Sequence, residues 1–305
     1  MVAFGVVGLT HLSKSFLEVF ARQPSFDLAG LFDTDPKQSQ LAAKASRTIS
    51  YREPAALFQF SEAVILGEES DNTFALAKEA LTHFQHLFIC LPSSLSEEEM
   101  SALLKISEES QVLVRFGGSI MHHPVSEALA AKSSHPFFVE IHHSLHEEPK
   151  SAIRSKLINL MTADLSFLLS LTEGMVCKAE TSVPGNVAGS GALECRLRID
   201  NGAEIRMVYS FGSPTPQRVV TLQQPGATLI ADYHAGTLTS GPTIETLASN
   251  PFQCTLRQLD AFARDIENHE SELIDRDILM FFLAHALVNK AKPWLLVNCP
   301  IRFEV

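Results

Sequence analysis

The residues best suited to hold a ligand stand near the start of the chain, where an apolar run ends in Gly8. The segment Gly5–Ser13 takes the place of a Gly-x-Gly-x-x-Gly turn, which joins a strand to a helix and cradles a dinucleotide diphosphate. Thr10 replaces the glycine that admits the diphosphate, and Ser13 replaces the glycine that allows close packing. A helix beginning here still offers unpaired amides, so we expect Gly8, Thr10, His11 and Ser13 to contact a cofactor.

Asp33 ends the second apolar run, Phe26–Phe32. A carboxylate there accepts the hydroxyls of an adenosine ribose and repels a 2′-phosphate. Because the segment Leu31–Pro36 contains no arginine, the pattern favours NAD over NADP. NADP, or loss of the cofactor, remains open. A second interpretation is that Asp33 and Asp35 only cap the following turn and helix.

His122 and His123 are the best titratable candidates for moving a proton. They follow the last strand of the N-terminal half, near the mouth of the crevice where open parallel sheets collect ligands. The alternative is that they flank Pro124 as solvent-exposed residues at the start of a helix.

Three more histidines, His142, His143 and His146, invite a metal site. In a strand, however, His142 and His146 lie about 13 Å apart and His143 points to the opposite face, so no metal is expected. Neither Gly117–Ser119 nor Gly189–Gly191 has the Gly-x-Ser-x-Gly form of a serine hydrolase elbow.

Short apolar runs alternate with helical patterns through the N-terminal third of the chain. The expected strands are Val2–Leu9, Phe26–Phe32, Ala63–Leu66, Leu87–Cys90 and Gln111–Phe116. The expected helices are Ser13–Ala21, Gln38–Ala45, Thr73–Thr82 and Ser96–Ser110. This alternation predicts an α/β domain, a doubly wound parallel sheet of the Rossmann type, over residues 1–118.

After Gly118 the pattern changes to several strands in sequence, with fewer helices between them. The expected elements are a helix at Pro124–Lys132, a strand at Phe137–His143, helices at Ala152–Leu171, Leu256–Ile266 and Asp277–Val288, and a final strand at Trp294–Val297. We expect residues 119–305 to form an α+β domain with an open, mostly antiparallel sheet and helices on one face.

One hairpin can be assigned in register from the sequence. Ala192–Ile199 and Ala203–Tyr209 are joined at Asp200–Gly202, and their alternating apolar residues must share one face. A two-residue turn would bury Glu204. A three-residue loop with Gly202 in the left-handed region instead places Leu197 opposite Ile205, and this register is predicted.

The bulk properties describe a globular protein without a cluster of basic residues. The 305 residues are 46% hydrophobic and carry a formal net charge of −11, which argues against nucleic acid as a partner. The five cysteines have no Cys-x-x-Cys spacing and are expected to be reduced thiols. No run resembles a membrane span or a signal peptide, so we expect a cytoplasmic protein without a membrane partner.

The segment Phe84–Pro92 resembles the Gly-Lys-His-Val-Leu-Cys-Glu-Lys-Pro run of the glucose-fructose oxidoreductase, inositol dehydrogenase and rhizopine-catabolism (Gfo/Idh/MocA) family. The resemblance extends to the Rossmann start, the helix at Ala152–Leu171 and the late helices, and it indicates a divergent, short member. It implies a nicotinamide cofactor, and Asn72 and Pro92 join the expected cofactor-binding residues.

The same resemblance implies that the family's chemical positions have become apolar. Leu91 stands at the lysine, Met161 at the histidine and Leu157 at the upstream aspartate, when the helix is aligned on Asp164. Leucine and methionine cannot exchange a proton near neutral pH, so the ordinary sugar-dehydrogenase mechanism is not expected. Asp164 itself is interpreted as structural.

Two functions follow as hypotheses. The first is an NAD(P)-dependent oxidoreductase with an atypical site, acting on a small polar or sugar-like ligand in an interdomain cleft. The second is a catalytically inactive member, either a ligand sensor or an assembly subunit. Under both, a dimer or other homo-oligomer is expected to form through the C-terminal sheet.

Overall fold

The computed structural model describes residues 1–67, 72–91, 94–117, 120–145, 150–183, 191–211, 213–248, 250–268 and 274–296. The chain forms two compact units, Met1–Ser119 with Pro251–Leu279, and Ile120–Asn250 with Met280–Val305. The chain therefore returns to the first unit after residue 250. A single boundary at residue 118 does not describe this return.

The helices and strands have the following bounds in chain order. The helices are α1 (His11–Arg22), α2 (Pro36–Ser46), α3 (Pro54–Phe58), α4 (Thr73–Thr82), α5 (Glu97–Ser110), α6 (Pro124–Lys132), α7 (Lys150–Thr172), α8 (Pro251–Asn268) and α9 (Ile274–Leu296). The strands are β1 (Ala3–Val7), β2 (Asp27–Phe32), β3 (Ala63–Leu66), β4 (His86–Cys90), β5 (Val114–Gly117), β6 (Phe138–Leu145), β7 (Val176–Ser182), β8 (Gly191–Ile199), β9 (Glu204–Phe211), β10 (Gln217–Gln224), β11 (Ala227–Asp232), β12 (Thr237–Ser240) and β13 (Thr243–Thr246).

The first unit is built on a parallel sheet, which confirms the predicted Rossmann-type architecture. Within the described residues this sheet has five strands in the order β2-β1-β3-β4-β5. All four residues of β3 are buried, as expected for a central parallel strand. The order reverses between β1 and β3, and ligands of such sheets bind outside the carboxyl ends of the strands at this point.

Helix α8 belongs to the same unit and packs on the core below β1. Phe262 lies 6.2 Å from Phe4 and 5.3 Å from Phe88, measured between ring centroids. Arg115 on β5 donates from Nε and Nη2 to one oxygen of Asp265, at 3.0 and 2.9 Å. Because both side chains of this pair are largely buried, it fixes α8 against the sheet.

Phe84 lies in the turn between α4 and β4 with a left-handed backbone, φ 61°, and a 70% exposed side chain. It stands where the related family has glycine. We expect Phe84→Gly to raise the free energy of unfolding by about 1 kcal/mol, because glycine removes the clash of Cβ with the following carbonyl. Urea unfolding measures the change. Phe84→Ala keeps Cβ and is the matched control, and an equal gain for both variants would show that the ring, not the backbone, is responsible.

The second unit contains a mixed sheet. Its eight described strands run in the order β13-β12-β11-β10-β6-β9-β8-β7, and within the described part β6–β9 is the parallel pair. Inward residues such as Ile141, Met207 and Leu222 are fully buried, and the outward residues are mostly polar. The prediction of an open, mostly antiparallel sheet is confirmed.

The β8–β9 hairpin has the predicted register. Leu197 pairs with Ile205 and Arg198 with Glu204, and Gly202 has φ 91°. The predicted final strand at Trp294–Val297 is wrong, because α9 continues through Leu296. Val297 lies outside the described residues. The short apolar stretch at Trp294 extends a helix whose earlier residues are also apolar. Periodicity alone could not distinguish this short stretch from a strand.

Candidate cofactor site

The loop after β1 has the backbone of a dinucleotide-binding turn. Gly8 adopts φ 79°, a conformation that residues with Cβ rarely accept, and its N–H donates to the Phe32 carbonyl at 2.9 Å. The chain then enters α1, with Thr10 as N-cap residue. The first amides of α1 and the positive end of its dipole are thereby directed at the carboxyl edge of the sheet, where an anion is favoured.

Asp33 lies beside this loop and binds it. Its Oδ2 accepts from the Leu9 N–H at 2.7 Å, and its Oδ1 accepts from the Asp35 N–H at 2.7 Å. Asp35 in turn caps α2 by accepting from the N–H groups of Lys37 and Gln38. The capping interpretation therefore fits Asp35, and the bond from the Asp35 N–H shows that Asp33 caps the turn as well. In addition, Asp33 joins the end of β2 to the loop after β1 through the Leu9 N–H.

The residues that replace the missing glycines are accommodated. The Thr10 hydroxyl accepts weakly from the Ser13 N–H at 3.4 Å. Ser13 is fully buried, and its hydroxyl donates to the Gly8 carbonyl at 2.7 Å. His11 is exposed at the first position of α1. The loop thus retains a turn, the start of a helix and a neighbouring carboxylate, and these groups fit a dinucleotide.

Two other expected cofactor contacts lie on neighbouring elements. Asn72 is the N-cap residue of α4, and its side chain makes no capping hydrogen bond. Pro92 lies outside the described residues. Leu91, at the position of the family's lysine, is half-buried, and its N–H donates to the Gly117 carbonyl at 3.1 Å.

The two positions on α7 that the resemblance aligns with the family's aspartate and histidine lie in the second unit. Leu157 and Met161 are both fully buried, and so is Asp164 one turn further along. Neither apolar side chain can exchange a proton.

Asp164 is the centre of a buried polar cluster. It forms an ion pair with Arg218 on β10, and the Tyr209 hydroxyl donates to its Oδ2 at 2.8 Å. His143 Nδ1 lies 3.7 Å from the same oxygen, which is too far for a hydrogen bond. Burial raises the pKa of Asp164, but Arg218, His143 and Tyr209 outweigh burial and hold that pKa below its usual range. The carboxylate is therefore a structural anion rather than a proton donor.

Arg218 connects this cluster to α6. Its guanidinium lies 5.4 Å from the centroid of the Tyr233 ring, and the Tyr233 and Ser126 hydroxyls are hydrogen-bonded at 2.7 Å. Burial raises the pKa of Tyr233 above its ordinary value. The aspartate, arginine and tyrosine together tie α7, β10 and α6 into one body.

His122 and His123, the candidate proton carriers, lie at the start of α6. His122 ends a short 3-10 helix, and His123 is the N-cap residue, with Nδ1 accepting from the Val125 N–H at 3.2 Å. Burial and the nearby Arg218 charge lower the pKa of His123. His123 therefore has a capping role and a neutral ring near pH 7, with Nε2 carrying the proton.

Within the part of the chain that the structure describes, the remaining reactive side chains form no second candidate site. Of the other histidines considered for a metal, His142 and His143 lie on opposite faces of β6, and His146 is outside the described residues. Among the described residues no group of three or more histidine, cysteine or acidic side chains could hold a metal. Burial raises the pKa of the Cys195 thiol to about 12, so it is not a nucleophile. No described helix has the length and apolar character needed to cross a membrane.

Comparison with known proteins agrees with this geometry. Residues 2–117 match the model of the Gfo/Idh/MocA family, described as an oxidoreductase family with an NAD-binding Rossmann fold. Residues 2–117 belong to this family. The predicted resemblance is thus confirmed, and with it an oxidoreductase-type, NAD(P)-binding fold.

Individual proteins similar to this chain share only a small part of its sequence. UDP-N-acetylglucosamine 3-dehydrogenase from Acidithiobacillus ferrooxidans is 27% identical over 169 residues, 55% of this chain and 53% of the relative. The sequence match therefore spans about half the length of that relative. Its solved structure has a TM-score of 0.81 at 20% identity, covering 96% of this chain and 99% of the other.

Two further solved structures have a fold similar to that of this chain. A dehydrogenase from Clostridium difficile has a TM-score of 0.81 at 14% identity, over 95% of this chain and 99% of the other. Biliverdin reductase from Synechocystis sp., solved with biliverdin and NADP+, has a TM-score of 0.71 at 16% identity, over 96% and 98%. At these identities the likeness shows the fold alone.

Several residues of the Asp164 cluster and of the loop after β1 were not identified from sequence. Tyr209, Arg218 and Tyr233 lie far from Asp164 along the chain, and only the sheet register brings them together. Gly67 packs against the loop between β1 and α1, residues 8–10, called the cofactor loop below. In the sequence, the signal for this close packing was an isolated glycine at the end of an apolar run.

Proposed function

We propose that this chain binds a nicotinamide dinucleotide, NAD in preference to NADP, and acts as an oxidoreductase on a small polar or sugar-like substrate. The observation that carries the proposal is the Gly8 turn, with Asp33 bound to the Leu9 amide beside the start of α1. When bound, such a cofactor supplies a hydride donor or acceptor.

The residues have separate tasks in holding the cofactor. The amides at the start of α1 and the Thr10 hydroxyl would bind the diphosphate, with His11 exposed beside them. The Asp33 carboxylate would accept ribose hydroxyls and disfavour a 2′-phosphate. Asn72 and Pro92 are proposed to contact the nicotinamide half.

The proton in such a reaction needs another source than the family's usual one. Leu91, Leu157 and Met161 cannot act as acid or base. The proton would come from water, or from His122 or His123 as the titratable candidates that the sequence offers. Biliverdin reductase and UDP-N-acetylglucosamine 3-dehydrogenase have the same fold, and their names define two substrate classes to test, tetrapyrroles and nucleotide sugars.

The proposal predicts cofactor binding and turnover with one substrate class. NADH fluorescence should change saturably on titration with the protein, and NADH should be oxidised with a nucleotide sugar, an inositol-derived ketone or a tetrapyrrole. Gly8→Ala is the binding-deficient control, because φ 79° is strained for alanine. NADH binding without oxidation on any of these substrates would contradict the enzymatic part of the proposal.

The second candidate is a non-catalytic member that assembles through its open sheet. The complete burial of Leu157 and Met161 favours it, because a site without proton exchange is free to fill with core residues. On the outer sheet face, Ile230 and Ile244 are 40% and 67% exposed, and both pair with Thr239 on β12.

Light scattering during size-exclusion chromatography tests this assembly. A homodimer or larger oligomer that Ile230→Asp and Ile244→Asp dissociate would support it. Ile49→Asp in the first unit is the matched control, since Ile49 is 58% exposed and lies outside the sheet. A strict monomer would rule assembly out.

A further inference from the structure

Ser13 and Gly67 are packed against each other beneath the cofactor loop. A Cβ placed on Gly67 would lie 2.6 Å from Ser13 Cβ, 2.7 Å from Ser13 Oγ and 2.8 Å from the Gly8 carbonyl oxygen. Such distances are too short for non-bonded atoms in a close-packed interior. Position 67 therefore has to be glycine, and two of the three close contacts that a side chain would make there are with Ser13.

This pair lies at the point where the sheet order reverses. Gly8 follows β1, and Gly67 follows the neighbouring β3, with the Gly67 N–H donating to the Val7 carbonyl at 2.8 Å. In the usual fingerprint a glycine in the helix lets helix and strand approach. Here the helix carries Ser13, and the space comes from the neighbouring strand.

The Ser13 hydroxyl also fixes the orientation of one peptide unit. It donates to the Gly8 carbonyl at 2.7 Å, and the Thr10 carbonyl lies within 3.2 Å. In a planar trans peptide the C=O and the following N–H point in opposite directions. The Leu9 N–H therefore points away from Ser13, and it donates to Asp33 Oδ2 at 2.7 Å. Ser13 and Asp33 hold the two sides of the Gly8–Leu9 peptide.

We propose that Ser13 and Gly67 act together as positioning residues for the dinucleotide site, orienting the Gly8–Leu9 peptide and, through it, the Asp33 carboxylate that distinguishes NAD from NADP. Gly67 provides the space and Ser13 the hydrogen bond. This inference rests on the proposed cofactor binding and deepens it, because it assigns part of the cofactor preference to a residue that does not touch the ribose.

A double-mutant cycle tests the pair with Gly67→Ala, Ser13→Gly and the double variant. Gly67→Ala should weaken NADH binding about tenfold and lower the melting temperature of the cofactor-free protein. Ser13→Gly in the Gly67→Ala background should recover part of the lost melting temperature, because it removes the close contacts with Ser13 Cβ and Oγ but not the one with the Gly8 carbonyl oxygen. It should raise NADH affinity no further than the level of Ser13→Gly alone, which lacks the hydroxyl. Additive effects on NADH affinity and melting temperature would overturn the inference.

Ser13→Ala separates positioning from packing, because alanine keeps the Cβ and removes the hydroxyl. The ratio of the NADPH and NADH dissociation constants should fall at least threefold, which a purely structural role would not change. An unchanged ratio would contradict the proposed link to Asp33.

The cofactor-free melting temperatures keep this test separate from the proposed function. If the unaltered protein bound no NADH, the proposed function would fail, and thermal coupling between positions 13 and 67 would still support their positioning of the loop. If NADH bound equally well to the unaltered protein and to Gly67→Ala, the pair would fail and the proposed function would stand.

Discussion

Asp164→Asn is expected to lower the free energy of unfolding by about 3 kcal/mol, because it leaves the Arg218 guanidinium without its counter-charge. Asp164 is completely buried, whereas the Arg218 side chain is 22% exposed, so water relieves part of the loss. Chemical denaturation at pH 7 measures the difference. Tyr209→Phe removes one hydrogen bond to the same carboxylate and should cost about 1 kcal/mol.

The pH dependence provides an independent check on Asp164. Its folded-state pKa lies below the unfolded value, so its contribution to stability is present above about pH 4 and is lost as the pH falls through the folded pKa. The unaltered protein should therefore lose stability more steeply below pH 4 than Asp164→Asn does. Parallel acid-unfolding curves for the two proteins would show that this carboxylate is not a stabilising anion.

Asp33→Ala is expected to weaken NADH binding roughly 30-fold, about 2 kcal/mol, since two charge-assisted hydrogen bonds to the ribose are lost. NADPH binding should weaken much less, because removal of the carboxylate also removes its repulsion of the 2′-phosphate. The ratio of the two dissociation constants, from fluorescence titration, distinguishes ribose recognition from general damage to the loop.

Asp35→Ala is the matched control for Asp33. It removes the N-cap of α2, which should cost about 1 kcal/mol of stability, and it leaves the Leu9–Asp33 hydrogen bond in place. NADH affinity should be unchanged. If Asp35→Ala weakened NADH binding as much as Asp33→Ala, the capping interpretation would explain both residues.

The sequence predicted the first unit well because its signals are local. Apolar runs such as Ala63–Leu66, capped helices such as the one after Ser96, and the Gly8 turn are each set by neighbouring residues. The β8–β9 register was also predictable, because only one loop length keeps Glu204 off the core face. Non-local packing could not be predicted in this way. The return of α8 to the first unit depends on the ion pair between Arg115 and Asp265, which lie far apart along the chain.

The same distinction between local and non-local signals applies to the candidate site. The cofactor loop and Asp33 follow from a contiguous fingerprint, whereas the partners of Asp164 become visible only when strands β6, β9 and β10 are in register. In the sequence, Ser13 stands in the place of the glycine that allows close packing. The fold shows that Gly67 accommodates it, a compensation between residues on different elements.

Calorimetric titration of the unaltered protein with NADH shows whether the Gly8 loop and Asp33 form a cofactor site. We expect saturable binding of one NADH per chain with a dissociation constant on the order of micromolar. An absence of binding heat at millimolar NADH, at two temperatures, would contradict it.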